Sequence, residues 1–491
     1  MTSRPALPVR LLCAACALLV PLTGCGGGES GHRPVPSRAG TSAAPEPGDP
    51  AASRAPAPGK GSRDPDDING DGHRDLVVPV FDGTDPDYLA GDQRIAVIYG
   101  SAKGLDPSTR TVLGRRDLGL PEPPKDVAGR SRDSVSAYAL ETADLDGDGY
   151  PDFVDTVTGE VAQDRQVSAR RTVPYVTWGS AEAPTGETPA TPVTLPFGVS
   201  ALGLDSLVRG DFDGDGHHDL AGLALNRSSM VVLYGPFTRS GDPARTDTSL
   251  PWTDGHLTAD AVDPSGKTRA TSLLVHRASD GEQSGNTLYR ARPGSPLPAH
   301  GTELRRGGAH AFGDFDGDGR RDVAVGDDGS RNDEPGYETE PPEVDGSLAV
   351  YPGSGAEAVT HRLPRAPKGA ATDYGPGGFV AADPDGDGRD GILVATYEGA
   401  TLIDGDRRTD VRREGPARAD GGKIRARWRR ARPVDAADFD GDGHDELVLA
   451  WAADALFGFY GENPTHWWIT DGTTDRDRTS FRTTGFAGPA G

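Results

Sequence analysis

The sequence predicts an all-β fold, a seven-bladed β-propeller, and three observations predict it. A nine-residue acidic loop recurs six times along the 491 residues. Every copy opens into a short apolar run, and the spacing of the copies leaves room for one further unit.

The first three loops are Asp67-Ile-Asn69-Gly-Asp71-Gly-His73-Arg-Asp75, Asp144-Leu-Asp146-Gly-Asp148-Gly-Tyr150-Pro-Asp152 and Asp211-Phe-Asp213-Gly-Asp215-Gly-His217-His-Asp219. The others are Asp314-Phe-Asp316-Gly-Asp318-Gly-Arg320-Arg-Asp322, Asp383-Pro-Asp385-Gly-Asp387-Gly-Arg389-Asp-Gly391 and Asp438-Phe-Asp440-Gly-Asp442-Gly-His444-Asp-Glu446. Carboxylates at positions 1, 3, 5 and 9 around a glycine turn describe an oxygen cage for a hard cation. Calcium takes about six to eight oxygens in irregular geometry, so these side chains and the backbone carbonyl at position 7 supply most of its shell. The position-7 carbonyls are those of His73, Tyr150, His217, Arg320, Arg389 and His444. Glycine at position 6 permits a backbone conformation that a Cβ would resist.

The loop begins like an EF-hand, yet Val78, Gly222 and Val325 stand where an EF-hand needs its bidentate Glu. The runs that follow, such as Leu76-Val-Val, Val323-Ala-Val and Leu447-Val-Leu, read as strands and not as flanking helices. The copies are unequal. Gly391 removes a carboxylate from the fifth, with the neighbouring Asp390 expected to point elsewhere, so a weaker or water-completed site is expected there. Asn69 offers a carbonyl oxygen in the first. The loop histidines share no spacing with sulfur or further histidine ligands, which argues against zinc.

Loop starts at 67, 144, 211, 314, 383 and 438 leave one interval about twice the shorter ones. A decayed copy fills it, running from Asp263 to Thr271, with Ser265 and Lys267 at the second and third ligand positions. An ammonium there would substitute for the charge of an ion without coordinating one. Each unit holds a later apolar run, among them 95–100, 173–179, 230–235, 348–351, 400–403 and 456–461, and most loops are preceded by another, such as 136–140 or 378–382. Three or four strands per unit, repeated seven times, match propeller blades, whose closure removes exposed sheet edges. A string of separate sandwich modules is the rival, but no Pro/Gly-rich linker divides the units and each is too small for its own core.

These units resemble FG-GAP repeats, also called VCBS-type, the class that forms the seven-bladed head of integrin α subunits, over about residues 64 to 486. The resemblance implies calcium in each regular loop, about six sites in all, between the innermost and second strands of a blade. It is poorest at the start, where 59–65 makes a weak inner strand. Closure is therefore expected to draw on 479–486, or blade 1 to be incomplete.

The N-terminus carries Arg4 and Arg10, an apolar stretch from Leu11 to Leu22 that is too short to span a bilayer, and then Leu22-Thr23-Gly24-Cys25. This resembles a bacterial lipobox, which implies a signal peptide over 1–24, lipidation of Cys25 and a lipid anchor in the outer face of the cell membrane. Cys13 and Cys16 would leave with the signal, so no disulfide is expected. Residues 25–63 are mostly Gly, Pro, Ala and Ser and read as a flexible linker, 64–486 as the propeller and 487–491 as a tail. The formal charge is -24, and six divalent ions would offset roughly half of it.

Export and acidity argue against nucleic acid as a partner. The leading expectation is a monomeric, surface-anchored, calcium-stabilised propeller that binds or scaffolds a cell-wall polymer, glycan or protein. Candidate surfaces are the acidic loop 331–345 and the basic stretch from Arg407 to Arg432. Trp451, Trp467 and Trp468 suit blade packing better than a sugar platform. Arg209-Gly210-Asp211 spells an integrin-binding tripeptide, but its Asp is a predicted calcium ligand. The alternative is a secreted glycan-active or other hydrolase or lyase with its active site on one propeller face. The chain has no Gly-x-Ser-x-Gly elbow and no His-Glu-x-x-His, so paired carboxylates would have to carry such chemistry.

Overall fold

Alternation at a period of two residues sends neighbouring side chains of a strand to opposite faces of its sheet. In this chain both faces are apolar. Ile392 and Val394 of the strand Gly391–Thr396 enter one core while Leu393 between them enters another. Such a sheet needs a partner on each side, and a ring of sheets supplies two partners to every member.

The computed structural model describes residues 46–51, 53–81, 93–122, 124–125, 135–137, 139–277, 283–329, 344–365, 378–419, 422–452, 455–456, 459–460 and 464–486. They form a seven-bladed propeller of antiparallel sheets. Blade 1 has three strands, Leu76–Phe81, Gln93–Ile98 and Arg110–Leu113. Blade 2 runs Glu141–Ala143, Asp152–Asp164, Val167–Thr177 and Thr191–Pro192. Blade 3 runs Leu204–Gly210, Asp219–Ala224, Met230–Phe237 and Pro243–Leu250. Blade 4 runs Gly255–Ala259, Leu273–Arg277, Asn286–Tyr289 and Thr302–Leu304. Blade 5 runs Ala309–Gly313, Asp322–Gly326, Ser347–Tyr351 and Val359–Arg362. Blade 6 runs Phe379–Ala382, Gly391–Thr396, Gly399–Asp404 and Arg407–Val411. Blade 7 runs Arg432–Ala437, Glu446–Trp451, His466–Thr470 and Asp477–Arg482.

Seven apolar clusters fill the seven seams between blades. Trp467 and Trp468 show the alternation most plainly. Trp467 enters the seam with blade 1 and Trp468 the seam with blade 6, and both are fully buried, as is Trp451. The packing role read from sequence holds for all three. The decayed fourth unit is a complete four-stranded blade.

Closure is made by packing. Phe481 of the outer strand of blade 7 stacks on Trp467 at 6.2 Å and on Phe486 at 5.8 Å, beside Leu76, Val78 and Val80 of blade 1. The Arg110 guanidinium of blade 1 lies 4.2 Å from the Phe486 ring centre. Blade 1 is short of an inner strand, as its sequence suggested. A strap of chain from 48 to 63, inside the stretch read as a flexible linker, crosses the same seam. The Arg482 amide donates to the Gly48 carbonyl at 3.1 Å, and the Arg54 amide to the Ser108 carbonyl at 2.8 Å. Asp49 pairs with Arg482 at 2.7 Å.

Two strand expectations need correction. The inner strand of blade 2 is Glu141–Ala143, and 136–140 is not a strand, because pairing with Asp152–Val154 pins the inner strand directly to the loop. The third strand of blade 7 is His466–Thr470, whose tryptophans fill both seams, and 456–461 contributes only to a two-stranded hairpin. The acidic insertion at 331–345 lies outside the described residues apart from its last two, as do Cys25 and the signal sequence.

Phe481 is fully buried and Phe197 is 99% exposed. Phe481→Ala is expected to cost about 3 to 5 kcal/mol, read as a lower denaturant midpoint. Phe197→Ala should leave the midpoint where it was. Equal midpoints for both variants would show that the aromatic stack does not close the ring.

Candidate metal centres and the axial cavity

Each acidic loop joins the inner strand of a blade to the second strand, or in blade 1 precedes the first strand. Loop 3 shows the construction. Asp211 accepts the Asp215 and Gly216 amides, both at 3.0 Å, one on each carboxylate oxygen. Asp215 accepts the His217 amide at 2.9 Å. Asp219 accepts the Phe212 amide at 2.7 Å and the Gly235 amide, from the third strand, at 2.8 Å. The position-1 and position-5 bonds recur around Asp67 and Asp71, Asp144 and Asp148, Asp314 and Asp318, Asp383 and Asp387, and Asp438 and Asp442. The amides at position 7, those of His73, Tyr150, His217, Arg320, Arg389 and His444, are thereby committed to position 5.

The turn demands glycine twice. Gly214 and Gly216 have φ of 69° and 89°, and positions 4 and 6 are left-handed in all six loops. The position-4 requirement was not drawn from the sequence.

Position 9 clamps the loop to its blade. Asp75, Asp152, Asp219 and Asp322 each accept one amide from loop position 2 and one from a glycine closing a neighbouring strand. Glu446 accepts the Phe439 amide at 3.0 Å. All five are buried. Burial raises their pKa, to about 8 for Asp152 and Asp219, about 7 for Glu446 and about 6 for Asp322, against the opposing effect of those amides.

Five loops bring three carboxylate oxygens within 4.8 Å of one another. These are Asp144/Asp146/Asp148, Asp211/Asp213/Asp219, Asp314/Asp316/Asp322, Asp383/Asp385/Asp387 and Asp438/Asp440/Glu446. Asp213 Oδ1 is buried with no hydrogen-bond partner. An oxygen-only ligand set suits a hard cation and disfavours soft or zinc-like ones. Loop 1 forms no such group among the described residues. The Asn69 amide nitrogen donates to Asp71 at 3.1 Å and to the Ala57 carbonyl of the strap at 3.0 Å.

Arginines share four of the loops. Arg245 pairs with Asp213 at 2.7 Å, and Arg239 pairs with Asp146 and with Asp148 at 2.6 Å. Arg478 reaches Asp442 at 3.3 Å and Glu446 at 3.5 Å, and Arg407 lies 3.9 Å from Asp385. Lys267 lines the cavities beside this loop and makes no ion pair among the described residues. Asp263 is satisfied by the Ser265 amide and hydroxyl at 3.1 and 2.7 Å.

Position 8 matters in a way the sequence reading missed. His218 accepts the Asp144 amide at 2.8 Å, Asp390 the Asp314 amide at 2.7 Å and Asp445 the Asp383 amide at 2.8 Å. Each latches its loop to the loop of the preceding blade. Position 8 holds an acceptor in only three of the six loops, the others having Arg74, Pro151 and Arg321, so the sequence offered no uniform signal. Asp390 thus points away from its own loop, as expected.

Toward the axis lies a cavity of about 890 Å³ to which all seven blades contribute. Arg209 forks onto Asp66 at 2.7 and 2.8 Å and donates to the Thr142 carbonyl, tying blades 1, 2 and 3. Arg321 meets Asp260 at 3.1 Å and Asp390 at 2.9 Å, tying blades 4, 5 and 6. The Arg-Gly-Asp tripeptide is therefore spent inside the ring. Asp66 is held well below the usual carboxylate range, since Arg209 and Arg74 overcome its burial. Glu141 is pushed up to about 7 by burial, with Arg209 opposing. The basic stretch is largely neutralised: Arg413 is buried against Asp477 at 2.6 Å, and Arg429 and Arg430 both engage Glu414.

No protein-family model matches the chain, and no curated protein matches it. Solved structures with similar folds include the Photorhabdus luminescens Tc holotoxin pore, at 15% identity and a TM-score of 0.33 over 82% of this chain. The chain spans only 17% of that toxin chain. An Agrocybe aegerita lectin that recognises non-reducing terminal N-acetylglucosamine aligns at 16% identity and a TM-score of 0.36, over 68% of this chain and 78% of its own. The V. cholerae biofilm matrix protein Bap1 aligns at 12% identity and a TM-score of 0.28, over 87% of this chain and 96% of its own.

The position-9 carboxyls dictate a pH dependence. Asp152 and Asp219 titrate near 8 when folded, against 3.8 for a free side chain. The folded state holds their protons more tightly, so they stabilise it below the unfolded pKa, and that contribution is lost as pH rises through the folded one. In chelator, the melting temperature should fall between pH 4 and pH 8 if these groups dominate, whereas a divalent cation, which favours the ionised form, should flatten the slope. A slope indifferent to the cation would separate these carboxylates from any metal.

Proposed function

We propose that this protein is a cation-stiffened propeller that binds a polar ligand, a glycan or other envelope polymer, in the axial cavity at the loop-bearing end. The observation that carries the reading is that cavity: every blade lines it, and Arg209 and Arg321 hold fixed charges there across six blades. A ligand seated on it would contact the whole ring at once.

The loops supply the stiffness. Calcium held by positions 1, 3, 5 and 9 would tie each inner strand to the second strand of its blade, in the manner of the FG-GAP repeats the sequence resembles. Such extracellular sites bind weakly, at about 10⁻⁴ to 10⁻³ M, which suits a structural ion. Lipidation at Cys25 would place the module on the outer face of the cell membrane. Among the described residues no helix is long and apolar enough to span a bilayer, so the lipid would be the anchor this reading requires.

A second reading is favoured by one observation. Glu141, raised to about 7, lines the same cavity as Asp66, which is held ionised. Two carboxyls whose environments drive their pKa values apart can serve as acid and base for glycoside chemistry.

A glycan and cell-wall polymer screen of the chain, with calcium and again with chelator, separates the two. Saturable binding without turnover supports the module. Turnover that Glu141→Gln abolishes supports the hydrolase. For the ions, the double variant Asp213→Ala/Asp215→Ala should lose about one bound calcium by equilibrium dialysis, and an unchanged stoichiometry would remove loop 3 from the set.

A further inference from the structure

A second cavity, of about 560 Å³, lies beside the axial one between the strap and the decayed loop of blade 4. Its lining includes Lys60, Arg63 and Lys267 together with Asp144, Asp148, Asp211 and Asp263, of which Asp148 is paired with Arg239 outside the lining. The two kinds of charge are not paired with each other. Asp144 and Asp211 each accept two amides of their own loops, and Asp263 is satisfied by Ser265. The three basic side chains form no ion pair among the described residues, whereas Arg239, Arg245, Arg407 and Arg478 do pair with loop carboxylates.

The backbone fixes where these cations stand. Lys60 and Gly61 donate to the Gly70 carbonyl at 2.9 and 3.1 Å, and Ser62 donates to the Gly149 carbonyl at 2.7 Å. The strap is thus bonded to loops 1 and 2 as it crosses the face. Arg63 then lies against Gly266, where an added Cβ would stand 2.5 Å from its Cδ. Gly266 keeps the left-handed turn of an ion loop, with φ of 73°, although Lys267 now fills a ligand position. The unit lacks the acidic ligand pattern but keeps the left-handed turn at position 4.

We propose that this cavity binds an oxyanion carried on a saccharide, a uronate carboxylate or a sugar sulfate, through Lys60, Arg63 and Lys267. The site adjoins the axial cavity and shares Val262, Asp263, Pro264 and Lys267 with it, while Lys60 and Arg63 line this cavity alone. Cations without an internal partner attract an anion without first breaking an ion pair. The exposed hydroxyl of Thr268, also in the lining, can meet a sugar hydroxyl.

The test is calorimetric titration of the full chain, at one fixed calcium concentration, with an oligogalacturonate, a sulfated oligosaccharide and a neutral oligosaccharide of equal length. At least one charged ligand should bind and the neutral one should not; which charged ligand binds identifies the oxyanion. Inorganic sulfate should compete, which probes the cations themselves whatever the axial cavity recognises. Arg63→Gln/Lys267→Gln should weaken binding by about tenfold or more, while Lys103→Gln, an exposed lysine on a turn of blade 1, should not. Full affinity for the charged ligands in the double variant, or an equal loss in Lys103→Gln, would each overturn the proposal; neutral-sugar binding that the double variant leaves unchanged reports on the axial cavity instead.

Discussion

Two-sided burial is the constraint from which the architecture follows. A small sheet with both faces apolar cannot finish its core with one neighbour, and a row of such sheets would leave two raw faces at its ends. Joining the ends removes both. The cost falls on the seam where the chain begins and ends, because no continuous strand crosses it. In propellers an outer or inner strand borrowed from the far terminus is one solution. Here blade 7 keeps its own four strands, blade 1 stays at three, and the seam is filled by aromatic rings from the C-terminal strand and overlaid by a strap from the N-terminal side.

The loops obey a related logic at smaller scale. Each gathers carboxylates that repel one another, and each disperses that repulsion among backbone amides oriented by two left-handed glycines. The position-9 carboxylate is the costly member, being buried and held by amides from two strands. This makes the cage a joint as well as a ligand set. Distortion of one loop would reach the next blade through the position-8 contacts, which join the loops of blades 2 and 3 and those of blades 5, 6 and 7.

What could be read from the chain divides along these lines. Blade number, loop position and strand alternation were legible because they repeat, and repetition turns weak local signals into a strong one. Even the decayed unit was recoverable from spacing, since Gly266 and the run ending at Val275 survived the loss of its ligands. The gathering of carboxylates within single loops was legible for the same reason. The strap was not, because its composition is that of a linker and its order comes from backbone bonds to distant carbonyls such as those of Ser108 and Gly149. The axial network was also hidden. Arg209 and Asp66 are far apart in sequence and occur once each, so no periodicity links them. Long apolar runs misled at 456–461, where position in the ring outweighed local hydrophobicity.

Charge placement then bears on what the molecule can do. A net charge of -24 would suggest a uniformly anionic surface, yet the position-1 and position-9 carboxylates of the loops are held by amides and axial acids such as Asp66 and Asp260 by guanidinium groups, while the position-5 carboxylates stay at the surface. Much of the negative charge is thus already engaged. The strap carries Lys60 and Arg63 across the face where those acids are least able to respond. A protein acidic in total can still gather unpaired cations locally, at the one unit whose loop lacks the acidic pattern. Loss of a ligand in a repeated fold is not simply decay. The ring supplies the lost unit with its shape, and its side chains become free to take on different chemistry.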